Sequence, residues 1–181
     1  MAEAFSNKLT RAAGIVTTSS SGSIGVTTTI ITGISTVGVA VSDIIDNTNF
    51  IAGTKVTGYG DAASQVVVDQ TSTNTATVTG TAVVSFLGMT TAYTSAATKS
   101  ILIGGTFANN TSSSVNLTVE IHDTSAGIHA ALASKIPVPT GSSFVISEAG
   151  KSVLEATDEV RVFCDTANAI DVNLSILTGV S

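Results

Sequence analysis

Val115-Asn116-Leu117-Thr118-Val119-Glu120-Ile121-His122 alternates apolar and polar residues without a break. In an extended chain successive side chains point to opposite faces. Val115, Leu117, Val119 and Ile121 therefore share one face, and Asn116, Thr118, Glu120 and His122 the other. This is the pattern of a half-buried antiparallel strand. It recurs in Ile170, Val172, Leu174 and Ile176, which alternate with Asp171, Asn173 and Ser175. It recurs again in Val160, Val162 and Cys164, opposite Arg161 and Phe163.

The segments around these strands are short and punctuated. Ile101-Leu102-Ile103 reads as a buried strand ending at Gly104-Gly105, and Asn109 to Ser114 as a turn-rich loop. Ile128 to Lys135 is Ala-rich and fits a strand or a single helical turn. Pro137 and Pro139 bracket Val138 ahead of a turn at Thr140 to Ser143, a strand at Phe144-Val145-Ile146 and a turn at Glu155 to Asp158. Six or more short strands separated by turns predict an antiparallel β-sandwich over residues 88–181, with room for one more strand from before residue 34.

Residues 26–87 predict a smaller β-rich module, inserted or preceding. Its strand candidates are Val26 to Ile34, Val37 to Val41, the stretch after the turn at Ala52 to Val56, Gln65 to Asp69 and Ala82 to Leu87. Within it, Thr71, Thr73, Thr75, Thr77, Thr79 and Thr81 occupy every second position. On one strand all six would share a face, opposite the weakly apolar set Ser72, Asn74, Ala76, Val78 and Gly80. Such a run suits an exposed hairpin, an edge, or a strand buried against another chain. Residues 1–25 predict an N-terminal arm and linker. Ala2 to Ala13 fits a short helix with Phe5 and Leu9 one turn apart, either frayed or docked on a neighbouring subunit. Thr17 to Ser23 reads as a loop by composition.

The chain has 181 residues, 11% charged, 43% hydrophobic and 4% aromatic, with a net charge of −6. Hydrophobic content this high excludes disorder. Its 29 Thr, 23 Ser and 21 Val favour strands over helices, so the expected class is all-β. Basic residues are few and unclustered, Lys8 and Arg11 being the nearest approach to a patch, which argues against a nucleic-acid surface. The apolar runs are far below transmembrane length. No secretory leader is recognisable, and the lone Cys164 excludes an intramolecular disulfide or a thiolate metal site. A reducing cytoplasm suits such a chain.

Sites for chemistry are sparse. His122, Asp123 and His129 lie close in sequence, but their spacing matches no metal motif and reads as a turn with incidental polar residues. Asp43 and Asp46 do not form a calcium-loop pattern. There is no nucleophile elbow and no phosphate-binding glycine loop, and Cys164 sits at an apolar strand position as an inert thiol. Asp158 and Glu159 are adjacent and would point to opposite faces. The expectation is a non-enzymatic protein without catalytic, cofactor or metal residues. Regular Thr arrays can bind ice, but one run without repeats makes no flat array. Glycan recognition would have few exposed aromatics, Tyr59 and Tyr93, to work with.

The C-terminal half resembles a β-sandwich module of tailed-bacteriophage virion proteins, particularly those of marine and cyanobacterial phages. The resemblance runs through Tyr93-Thr94, Lys99 to Gly105, Ala108 to Val119, Ile136 to Phe144, Val153 to Val162 and Asp171 to Ile176. Residues 34–87 are similar to a small phage-associated module whose core reads Phe50-Ile51-Ala52-Gly53-Thr54-Lys55-Val56. The resemblance implies a virion structural protein made in the host cytoplasm. Its partners would be copies of itself and other virion proteins, with no direct nucleic-acid or membrane contact. Capsid decoration is the leading position, with a neck, collar or tail ring as the alternative. Assembly contacts are expected at Phe5, Leu9 and Arg11 of the arm and at Thr71, Thr73, Thr75, Thr77, Thr79 and Thr81.

Overall fold

The computed structural model describes residues 3–13, 16–96, 98–147 and 151–180. Among these the regular elements are all strands. In chain order they are β1 (Ala4–Ala13), β2 (Val16–Ile24), β3 (Ile30–Thr32), β4 (Ile44–Asp46), β5 (Val56–Tyr59), β6 (Gln65–Val68) and β7 (Val78–Leu87). There follow β8 (Thr90–Thr94), β9 (Lys99–Asn109), β10 (Val115–Asp123), β11 (Ile128–Val138), β12 (Ser143–Ile146), β13 (Ser152–Leu154), β14 (Glu159–Cys164) and β15 (Ile170–Val180). The all-β expectation holds.

The chain divides into two compact units. The first comprises Met1–Gly14, Met89–Cys164 and Asn168–Ser181; the second comprises Ile15–Gly88 with Asp165–Ala167. The boundary expected after residue 87 therefore falls close by, after Gly88, while residue 25 is no boundary. The segment expected as arm and linker is split between the units. β1 is the extra strand of the sandwich, and β2 belongs to the second unit.

In the first unit, one sheet runs β1-β15-β9-β12, with β13 pairing on β9 as well, and the other runs β11-β10-β14-β8. Every ladder is antiparallel. Leu102, Phe107, Leu174 and Ile176 from one sheet and Leu117, Val119, Val160 and Val162 from the other form a single core cluster. Leu117, Val119, Val160, Val162, Leu174 and Ile176 are on the faces that the alternation gives them, and Leu102 and Phe107 join them across the irregularity in β9. Burial of apolar area drives the two faces together. The helix expected at residues 2–13 is a strand instead. Ten residues cannot sustain a lone helix, whereas β15 offers them a full ladder from Ala4↔Thr178 to Thr10↔Val172. Ile128 to Lys135 resolves as strand β11 rather than a helical turn.

β9 does not end at Gly104-Gly105 but passes through both to Asn109. A Cβ on Gly104 would lie 2.8 Å from the Ile146 carbonyl oxygen, so only glycine lets β12 pair at this distance. Ile103 has no partner on β15, because Ser175 pairs with Gly104 and Ile176 with Leu102. This is a one-residue bulge.

The second unit is a six-stranded sheet in the order β4-β7-β2-β3-β6-β5. Its two end strands meet: Ile44 bridges Lys55, Ser42 N–H donates to the Val56 carbonyl (2.8 Å), and Ile45 N–H donates to the Thr54 carbonyl (2.8 Å). The sheet thereby closes into a small barrel around Ile24, Ile31, Ile34, Phe50, Val66, Val84 and Phe86. β2, read as a loop, is an interior strand between β7 and β3. Its small residues are needed there, since a Cβ on Gly22 would meet the Thr32 carbonyl oxygen at 2.8 Å. Val37 to Val41, read as a strand, forms turns instead.

Leu174→Ala, which empties the centre of the sandwich core, should cost about 3 kcal/mol in denaturant unfolding. Gly104→Ala should cost about 1–3 kcal/mol by pushing β12 away from β9. Val153→Ala, on the outer face of the same sheet, should stay within about 0.5 kcal/mol of the parent.

Candidate functional site

The solvent faces of the two sandwich sheets differ in chemistry. On the β1-β15-β9 sheet the outward residues include a row in direct cross-strand register. Phe5 pairs with Leu177, Leu177 with Ile101, and Ile101 with Val153. Phe5 is 77% exposed and Val153 58%, with Leu177 and Ile101 half-buried between them. A second row runs Leu9, Asn173, Thr106, Val145, with apolar residues at both ends. Leu9 is 74% exposed and Val145 57%. Shallow grooves lie over Gly104 and Gly105 beside Ile103 and Val145, and between Leu9, Arg11 and Asp171. An apolar row crossing four strands differs from isolated exposed hydrophobics, which need no explanation.

Ile101-Leu102-Ile103, expected as a buried strand, is buried on one face only. Leu102 alone is fully buried, while Ile101 and Ile103 are half-exposed on the solvent side. Phe5, Leu9 and Arg11, expected as assembly contacts, do share one face, but as part of a strand held by β15 rather than on a free arm. Leu177, Ile101, Val153 and Val145 were missed as surface residues. Their signal was apolar residues on both faces of a strand, which marks either burial or an unfilled contact.

The threonine run does not form a strand face. Thr71, Thr73, Thr75 and Thr77 lie in the loop before β7, and only Thr79 and Thr81 are in the strand. All six are exposed. The loop is tied down by the residues between them. Ser72 is buried; its hydroxyl donates to the Gly25 carbonyl (2.8 Å) and accepts the Thr28 N–H (3.1 Å). Asn74 Nδ2 donates to the Ile24 and Ala76 carbonyls. Short polar side chains compete here with strand pairing by bonding nearby backbone. The flat Thr ladder that ice binding would use is absent from this loop.

The β11-β10-β14 sheet presents charge instead. His122 and His129, opposite each other in register, stack with ring centroids 4.2 Å apart and 4° between planes. His129 Nδ1 lies 3.1 Å from Glu120 Oε1, and His122 Nδ1 lies 3.4 Å from Glu159 Oε2. An ionised carboxylate only accepts, so each Nδ1 carries the proton. Arg161 Nε donates to Glu159 Oε2 at 2.7 Å and Nη2 approaches it to 2.6 Å. Burial opposes ionisation of Glu159, but the bonds from Arg161 and His122 together outweigh it and hold the carboxyl below its usual range. Asp123 does not join the histidines. Its Oδ1 accepts from the Ser125 hydroxyl and from the N–H groups of Ser125 and Ala126, which lowers its pKa and closes the β10–β11 turn. Among the described residues no group of three or more His, Cys, Asp or Glu is arranged to hold a metal ion. Cys164 is buried in the sandwich core.

Because the folded-state pKa of Glu159 is depressed, its stabilisation is present above the ordinary value of 4.5 and is lost as pH falls through the lower folded value. Glu159→Gln should cost about 1–2 kcal/mol at neutral pH. It should also flatten the loss of stability between about pH 5 and pH 3, read as denaturant midpoints of variant and parent across that range. An unchanged acid-side slope would show that the network stores no such energy.

No family model, curated protein or solved structure matches this chain.

Proposed function

We propose that this protein is a non-enzymatic structural subunit of a phage virion, placed on the outer capsid surface as a decoration protein. The observation that carries the reading is the apolar row Phe5–Leu177–Ile101–Val153, exposed on a sheet whose other face is already filled by the sandwich core. A rigid β-sandwich with one unfilled apolar face is suited to sit against another protein surface. Sparse charge keeps the desolvation cost of a broad contact low, since unpaired ions are the most expensive groups to bury. The extended patterns of residues 93–176 resemble virion sandwich modules, and that resemblance chooses the particle as the setting. The charged face of β10, β11 and β14 then remains toward solvent.

Cryo-electron microscopy of purified particles of the virus that carries the gene tests the proposal. Regular density over the capsid lattice, with the β1-β15-β9 face turned inward, is the expected result. A ring at the head–tail junction or along the tail would move the protein to the neck or tail, and its absence from particles would overturn the reading.

A further inference from the structure

The sandwich has four edges, and three of them are poorly suited to pairing. β12 and β13 are four and three residues long. β8 has five residues and a register shift opposite Val160 and Arg161. β11 is long, but Lys135 takes φ 51°, Pro137 lies within the strand, and its ladder with β10 is interrupted twice. Prolines, bulges and short length are the usual protections of an edge. Between Ala4 and Thr10 β1 is long and free of proline and bulge, Lys8 being its one charge. It pairs with β15 in unbroken register over those residues and, among the described strands, has no partner on its other side.

The sequence of β1 is complementary to itself when reversed. Place a second copy antiparallel with Asn7 opposite Asn7, the arrangement a two-fold axis normal to the sheet produces. Phe5 then faces Leu9 of the second copy and Leu9 faces Phe5, on the outer face that both already share. At the two ends Glu3 faces Arg11, opposite charges on exposed side chains. On the inner face Ser6 faces Lys8. The Ser6 hydroxyl is buried and has no hydrogen-bond partner among the described residues, and Lys8 of the second copy would stand directly across the ladder from it. Shifting the centre by one residue to Lys8 sets Lys8 against Lys8 and Phe5 against Arg11, which loses the apolar pair and adds a repulsion. Direct cross-strand pairs of aromatic with aliphatic residues, and of opposite charges, are the contacts that stabilise antiparallel ladders.

We infer that the protein forms a two-fold dimer by antiparallel pairing of β1 with β1 of a second copy, centred on Asn7. The pairing joins the two five-stranded sheets edge to edge. Phe5 and Leu9 of both copies then form one apolar strip that continues the Phe5–Leu177–Ile101–Val153 row across the axis. The inference deepens the assembly reading, on which it rests, by naming the first partner as a second copy.

The test uses the full 181-residue protein. Directly opposed residues on antiparallel strands lie close enough for a disulfide, whereas residues four positions apart do not. Asn7→Cys should therefore cross-link to a dimer under mild oxidation. Phe5→Cys and Leu9→Cys should each stay uncross-linked alone and cross-link when mixed. Sedimentation of the parent should show a concentration-dependent dimer, and Phe5→Lys with Leu9→Lys should abolish it. The melting curve should stay unchanged at concentrations low enough for the parent to be monomeric, because both positions are exposed in the monomer. E3R should weaken the dimer about three- to tenfold, and E3R with R11E should restore it.

A parent that remains monomeric, or an oligomer in which Asn7→Cys fails to cross-link, overturns the dimer. If such a monomer is nevertheless found on particles, the assembly reading survives its loss. A cross-linked dimer absent from particles supports the pairing while removing the virion setting.

Discussion

A β-strand carries N–H and C=O groups along both edges, and the two units of this chain meet that demand in opposite ways. The barrel closes on itself: at the two ends of its sheet the segments entering β4 and β5 bond through Ile45 N–H to the Thr54 carbonyl and Val56 N–H to the Asp43 carbonyl, with Ile44 opposite Lys55. Closure removes edges altogether. The sandwich does not close, because its two sheets stack face to face and leave strands at their margins. Three margins are blunted by shortness, proline or irregular register. β1 is not, and the arrangement of the exposed residues follows from that difference.

The same sandwich separates its solvent faces by chemistry. The four-stranded sheet places Glu120, His122, His129, Glu159 and Arg161 together, so each charge finds a partner within hydrogen-bonding distance. The two imidazoles stack 4.2 Å apart, each with a carboxylate at its Nδ1. The five-stranded sheet carries its outward charges, Arg11, Asp171 and Lys99, near the strand ends and leaves its apolar row open to water. Leaving Phe5 and Val153 in water forfeits the transfer energy that a covering surface would return. The two sheets therefore expose different chemistry, charged on one and apolar on the other.

Much of the sandwich was legible in sequence, because alternation with a period of two is a property of the extended chain itself. Val115, Leu117 and Val119 and the alternate set Ile170 to Ile176 are buried as expected, whereas Ile121 is only half-buried and Glu120, expected outward, is buried. The failures have a common cause. Ser and Thr are short enough to serve a loop or a strand, and neighbours choose between the two. Val16 to Ile24 became an interior strand because β3 and β7 flank it and need its small residues, notably Gly22. Thr71 to Thr77 stayed a loop because Ser72 and Asn74 bond the backbone near β2 and β3. Phe5 and Leu9 fit a helical face as well as a strand face, and β15 decided for the strand.

By itself, then, the sequence determined the all-β class, the buried face of most alternating strands and the scarcity of groups for chemistry, since each follows from residue type and spacing along one chain. Only the tertiary structure decided that residues 4–13 join the sandwich, that residues 16–88 close into a barrel, and that Ile101, Leu177, Val153 and Phe5 line up on one exposed row. Those outcomes depend on which strands become neighbours. Pairing joins residues as far apart as Ala4 and Thr178, and no local pattern encodes that choice.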